Sequence, residues 1–214
     1  MSDNSLFETA MELESNGKYS EALELFELLL SSSDYDKGDL RFHCGWCLEN
    51  IDPEKIQTVL NLYEQAIFTT TISLCRMNSL FRCGWLTMQN KDYLHADGYF
   101  RKAIELHEAE PIDEGIYHQS LYWYAVCRES LGYYLEAIKI HKYLQEVSPM
   151  LNPESRCRQI NCLFQIGSFT AALKICQSFN NAPPEGFDKT RYEKLRHLAE
   201  LEYRSLYNYL DESY

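Results

Sequence analysis

The sequence predicts an all-α fold, an α-solenoid of about five helical hairpins closed by a C-terminal helix. Three observations predict it. Apolar anchors recur with helical spacing, and the first anchor of each set, at positions 19, 56, 93, 134 and 169, returns after 37, 37, 41 and 35 residues. A small residue precedes the anchor by nine positions in three of the five sets, at Ala10, Gly84 and Ala125. Gly17, Gly132 and Gly167 fall at the turns inside hairpins, and Pro149 and Pro153 fall between two of them, where a chain must turn or a helix must stop.

The elements follow in order. In the first hairpin, residues 3–36, Tyr19, Ala22, Phe26 and Leu29 stand at offsets of +3, +7 and +10, which is one face of a helix. The second, residues 38–73, repeats the pattern as Ile56, Val59, Tyr63 and Ala66; its small residue, Gly45, stands eleven positions before the anchor because the turn ENIDPE is longer by two. The third, residues 77–110, has Tyr93, Ala96, Phe100 and Ala103, and its segment FRCGWLTMQN at 81–90 mirrors FHCGWCLEN at 42–50. Tyr134, Ala137, His141 and Leu144 mark the fourth, residues 118–151. The fifth, residues 153–186, has Phe169, Ala172, Cys176 and Phe179, with Ile160 at the small-residue position. A breaker-rich stretch, NNAPPEG, then leads into a capping helix and tail at 188–214, whose apolar side is expected to hold Tyr192, Leu195, Leu198, Ala199, Leu206 and Tyr209, opposite Lys194, Arg196, Glu200 and Arg204. A period in this range signals stacked helical hairpins, none of which can bury its apolar face alone.

These residues resemble the tetratricopeptide-repeat family over about residues 3–186. In the third hairpin Leu80, Cys83, Gly84, Ala96 and Phe100 stand where the family pattern puts W, L, G, A and F; Ala22 and Phe26 match in the first hairpin, Ala137 and Pro149 in the fourth. The resemblance implies a right-handed solenoid that binds a protein or peptide in its concave groove, as an adaptor or scaffold. It also implies that the first helix of each hairpin lines that groove. Some members grip a terminal carboxylate with Lys and Asn on these helices; here Phe7, Met11 and His43 stand at the matching places.

On each first helix, residues four apart share a face. The pairs are Phe7/Met11, Phe42/Trp46, Phe81/Trp85, Tyr122/Val126 and Cys157/Asn161. Such rings either line a groove or fill gaps between successive hairpins; the number of large rings favours the groove. The residues expected to bind the partner are Phe7, Phe42, His43, Trp46, Phe81, Arg82, Trp85, Tyr122, Trp123 and Arg158, with Arg82 and His43 donating hydrogen bonds to the bound segment.

Charge narrows the partner. The net charge is -12, and residues 1–40 alone hold ten acids against two bases. No basic cluster exists, so a nucleic-acid partner is not expected, whereas a protein or peptide with a basic region is favoured. No apolar run approaches the length of a membrane span, so no membrane insertion is expected. The opening segment is polar and acidic, which points to the cytoplasm and to reduced thiols among the eight cysteines. Cys44 and Cys47 form a C-x-x-C, but they lie within a predicted helix where Cys44 aligns with Cys83, so packing thiols are expected; the alternative is a redox role for the Cys44/Cys47 pair, or a metal site that adds ligands such as His43 and Cys83 to it. No cofactor is expected, and the chain contains no catalytic motif, so it is read as a non-enzyme. A sensor of a small signalling peptide is the other functional alternative.

Overall fold

The computed structural model describes residues 3–32, 34–179, 183 and 187–211, with side chains left aside at 32, 203 and 205–211. Leu206 and Tyr209 therefore fall outside the described side chains, as do residues 180–182, 184–186 and 212–214 of the expected fifth hairpin and tail. The described residues form eleven helices and no strand. The chain divides into two compact units, Met1–Tyr117 and His118–Tyr214. The first contains α1 (Asp3–Ser15), α2 (Tyr19–Ser32), α3 (Lys37–Ile51), α4 (Ile56–Thr69), α5 (Ser73–Gln89) and α6 (Tyr93–Ala109). The second contains most of α7 (Glu114–Ser130), then α8 (Tyr134–Val147), α9 (Asn152–Gln165), α10 (Phe169–Ser178) and α11 (Lys189–Asp211).

Four of the five hairpin turns are built alike. The amide of Gly17 donates to the Glu14 carbonyl and that of Lys18 to Leu13; Gly132 and Tyr133, Gly167 and Ser168, and Lys91 and Asp92 repeat both bonds on their own helices. This pair of bonds ends a helix through a residue in the left-handed region. Gly17, Gly132 and Gly167 have φ of 75°, 85° and 73°, while Lys91 adopts 62°. Between hairpins, Asp36 accepts from the Asp39 amide at the start of α3 and from the amide and hydroxyl of Thr71. Burial pushes the Asp36 carboxyl up, but the bonds from Thr71 and Asp39 outweigh it and hold the group at about 2.

Within the second and third hairpins the small residue of the first helix admits a ring of the second. A methyl group at Gly45 would lie 2.9 Å from Tyr63 Cε1, and one at Gly84 would lie 2.8 Å from Phe100 Cε1. Both rings are fully buried. Ala10, Ala22, Phe26, Leu29, Leu40 and Cys44 form one core cluster; in the second unit Ile160, Ala172, Cys176, Phe179, Tyr192 and Ala199 form another. His141, expected at a packing position, is fully buried. On α11, Tyr192 and Ala199 are buried as expected, whereas Leu198 is 54% exposed. It is turned out of the contact that Tyr192 and Ala199 make with the fifth hairpin.

Two glycine substitutions test this packing. Gly84→Ala should cost about 1–3 kcal/mol, because the ring of Phe100 has no room to retreat. Gly98→Ala, on α6, has nothing within 4 Å of the added carbon and should stabilise by about 0.5–1 kcal/mol through reduced chain entropy. Thermal unfolding of the two variants should move in opposite directions; equal shifts would contradict a ring seated on position 84.

Candidate functional site

The five first helices can be set in register on Ala10, Gly45, Gly84, Ala125 and Ile160. Three residues before this position stand Phe7, Phe42, Phe81, Tyr122 and Cys157; one after it stand Met11, Trp46, Trp85, Val126 and Asn161. In Met1–Tyr117 all five rings of this stripe are half-buried. Phe7 stacks on Tyr35 at 4.9 Å, Phe42 leans on Tyr63 at 5.6 Å and Phe81 meets the Phe100 ring edge-on at 5.9 Å. Each of these three rings thus packs within its own hairpin and still reaches solvent. In His118–Tyr214 the stripe changes character. Tyr122 and Val126 are buried, Cys157 is half-buried and Asn161 is exposed. Trp123 is half-buried, edge-on to Tyr122 at 4.9 Å.

The cations expected to face a partner are engaged within the chain, through a pairing that repeats with the hairpins. A glutamate four residues after the small residue meets a base two residues before the next one. Glu14 Oε2 lies 2.8 Å from His43 Nδ1 and also accepts from the Cys47 thiol at 3.8 Å. Glu49 binds the Arg82 guanidinium at two points and takes the Tyr63 hydroxyl at 2.8 Å. Arg82 lies over the Trp46 ring, 5.1 Å from its centre, where the cation and the π face attract. Glu129 repeats the theme with Arg158 at 3.3 Å and with His141 Nε2 at 2.6 Å. In the third and fourth hairpins the same register positions hold Met88 and Trp123 and carry no charge. In the sequence the set is a Glu at +4 and a base at −2 one repeat later, a relation that no pattern within a single helix reveals.

Charge is divided sharply between the units. Met1–Tyr117 holds 21 acidic and 9 basic residues, and His118–Tyr214 holds 11 of each. The whole net charge of -12 therefore belongs to the unit that carries the open rings. Helix α1 has no Lys or Arg. On α3, Lys37 Nζ donates to the Leu30 carbonyl at 2.8 Å, and Arg41 reaches Gln65 and Thr69. On α5, Arg76 donates to the carbonyls of Ile67 and Thr70, and Arg82 is held by Glu49. The cations of these helices are spent on the unit's own backbone and carboxylates, while Asp3, Glu8, Glu12, Glu24 and Glu27 are exposed.

Solved structures supply the comparison. No protein-family model matches the chain, and no curated protein matches its sequence. Among solved structures, it is similar to YrrB, a TPR protein with an unusual peptide-binding site, at 15% identity and TM-score 0.65 over 80% of this chain and 81% of that one. It is similar to MamA of AMB-1 at 19% identity and TM-score 0.62, over 81% and 94%. It is also similar to the Podosopora anserina kinesin light chain TPR-like repeats, at 15% identity and TM-score 0.61, over 81% and 91%. The chain has the tetratricopeptide-repeat fold.

The thiols of the C-x-x-C sit in the packing layer. Cys44 and Cys47 are buried, and among the described residues no three His, Cys, Asp or Glu side chains converge to hold a metal. Burial pushes the thiols of Cys44, Cys47, Cys75, Cys157 and Cys162 up to about 12 and that of Cys176 up to about 11; Cys83 is raised further by the same cause. Since the thiolate is the reactive form, the folded protein should react slowly with a thiol reagent at pH 8, and all eight cysteines should react once it is unfolded. A raised folded-state value stabilises below the unfolded thiol's value and is lost as pH climbs past it. Stability should therefore hold up to about pH 8.5 and then decline towards pH 12. Fast labelling of Cys44 or Cys47 in the folded protein would contradict this.

Proposed function

We propose that this protein is a protein- or peptide-binding scaffold that receives a basic segment of its partner on the first-helix face of Met1–Tyr117. Phe7, Phe42, Trp46, Phe81 and Trp85 anchor the segment's apolar side chains. The observation that carries this reading is the coincidence of open rings and uncompensated carboxylates in one unit. Rings supply most of the affinity in such sites; the acidic field supplies encounter rate and selects for positive charge. His43 and Arg82 act by holding the ring layer in place, through Glu14 and Glu49, rather than by reaching for the partner. Tyr122, Trp123 and Arg158 belong to the other unit and offer a smaller aromatic area of their own.

Several facts support the reading. YrrB shares the fold and is a TPR protein with an unusual peptide-binding site. No helix among the described residues is long and apolar enough to cross a membrane. All eight cysteines are free, which suits a reducing compartment, and we assign the protein to the cytoplasm. No reaction is assigned to it. The alternative readings are a sensor of a small signalling peptide and a metal or redox role for Cys44 and Cys47; burial of both thiols weighs against the second.

The test uses the partner recovered from the native host on the immobilised full chain. Trp46→Ala with Trp85→Ala should abolish recovery, each truncation weakening binding by about 2 kcal/mol or more, while helicity is kept. Raising salt from low to about 1 M should weaken binding of the unaltered protein, because exposed charges are screened beyond about 3 Å at that strength. A folded double variant that still recovers the partner, with unchanged salt dependence, would place the site elsewhere.

A further inference from the structure

A second concave feature lies in His118–Tyr214, between α7, α9 and α11. It is a depression of about 330 Å³ walled by Tyr122, Cys157, Leu195 and Leu198, with Glu154 and Arg158 as its charged groups. Glu154 and Glu129 are each only 7% exposed. Arg158 answers Glu129 at 3.3 Å. Glu154 is answered from the side, by Arg191 in the first turn of α11, whose Nε approaches to 2.5 Å. Arg191 is the one cation against this carboxylate among the described ion pairs. The Arg191 side chain is 58% exposed, against 9% for its partner.

We infer that this depression receives one cationic side chain of a bound partner, a guanidinium or ammonium that pairs with Glu154 in the place Arg191 now takes. Two buried carboxylates and two guanidiniums balance in this cluster. Arg158 is the more deeply held of the two cations, with a side chain 39% exposed and a buried carboxylate behind it. Arg191 stands mostly in water, where an ion pair contributes little, so exchanging it for another cation costs little and keeps the charge balanced. An incoming anion would meet the buried carboxylates, and a neutral group would leave Glu154 without a counter-charge. The walls suit the rest of such a side chain, because Leu195, Leu198 and the Tyr122 ring can cover an aliphatic stem while the charged head reaches inward. Burial raises the Glu154 carboxyl, and the charge of Arg191 opposes that rise. The proposal draws on the basic-partner reading for the source of the cation, but it concerns a different unit and is tested without that partner.

The probe is N-acetyl-arginine methylamide, titrated into the isotope-labelled full chain and followed by amide chemical shifts, with the citrulline analogue as a neutral isostere. The arginine compound should shift Tyr122, Cys157 and Leu198, and the citrulline compound should not. Arg191→Ala should tighten binding by about five-fold, the competition expected of a half-exposed ion pair. Glu154→Gln should abolish the shifts. Leu198→Lys, a change at an exposed position that leaves the fold intact, should weaken them by placing a competing cation at the mouth. Trp46→Ala with Trp85→Ala should leave them unchanged, which separates this site from the aromatic face. Equal shifts from both compounds, shifts confined to Met1–Tyr117, or an affinity indifferent to Arg191→Ala would overturn the proposal.

Discussion

Everything in this chain depends on one contact, a large side chain of the second helix seated against a missing or minimal side chain on the first. Tyr63 over Gly45 and Phe100 over Gly84 bring two helices so close that even a methyl group has no room between them. That closeness leaves each hairpin with an uncovered apolar side, and the next hairpin must close it. Ring, small residue and neighbour come as a set in the second and third hairpins, while the fifth holds Ile160 and Cys176 at the equivalent places. The carboxylate-to-base pairs add a polar stitch to the same seam. Glu14 to His43, Glu49 to Arg82 and Glu129 to Arg158 each tie a first helix to the next one, at places where the carboxylate is largely withdrawn from water. Removing one member of such a pair strands the other charge, so these residues fix the alignment of successive hairpins more than they add net stability.

The stitching also shapes the surface. A cation bonded to a carbonyl or a buried carboxylate contributes little field outside, while an exposed glutamate contributes fully. On α3 and α5 the first use dominates the basic residues; on α1 and α2 the second dominates the acidic ones. A surface with open rings and excess carboxylate follows without any residue being dedicated to a ligand. The cost of holding the half of the chain that is this acidic is self-repulsion, and a basic partner would relieve it.

Much of the fold was legible in the sequence because it rests on local rules. The offsets of Tyr19, Ala22, Phe26 and Leu29 are a helical period, and Gly17, Gly132 and Gly167 announce left-handed turns that the backbone indeed adopts. Lys91 shows the limit, since a lysine takes the same conformation with no signal of its own. The candidate site was legible as a set of rings on one face of α1, α3 and α5. What stayed hidden was the engagement of His43, Arg82 and Arg158, because their partners lie 29 to 33 residues away and no helical period links such distances. The exposure of Leu198 was hidden for a related reason: α11 touches the fifth hairpin along a narrower line than its apolar pattern suggests. The division of charge could be counted only once the boundary near Tyr117 was known.

The central claim is that partner contact falls on the open rings of the acidic unit. The chain has three tryptophans, Trp46, Trp85 and Trp123, two on that face and one in the other unit, and their indole N–H signals resolve the question directly. On addition of the native partner, the account predicts that the signals of Trp46 and Trp85 move together, at concentrations matching the binding curve, and that added salt reverses both. Saturable binding that moves Trp123 alone, or none of the three, would contradict it.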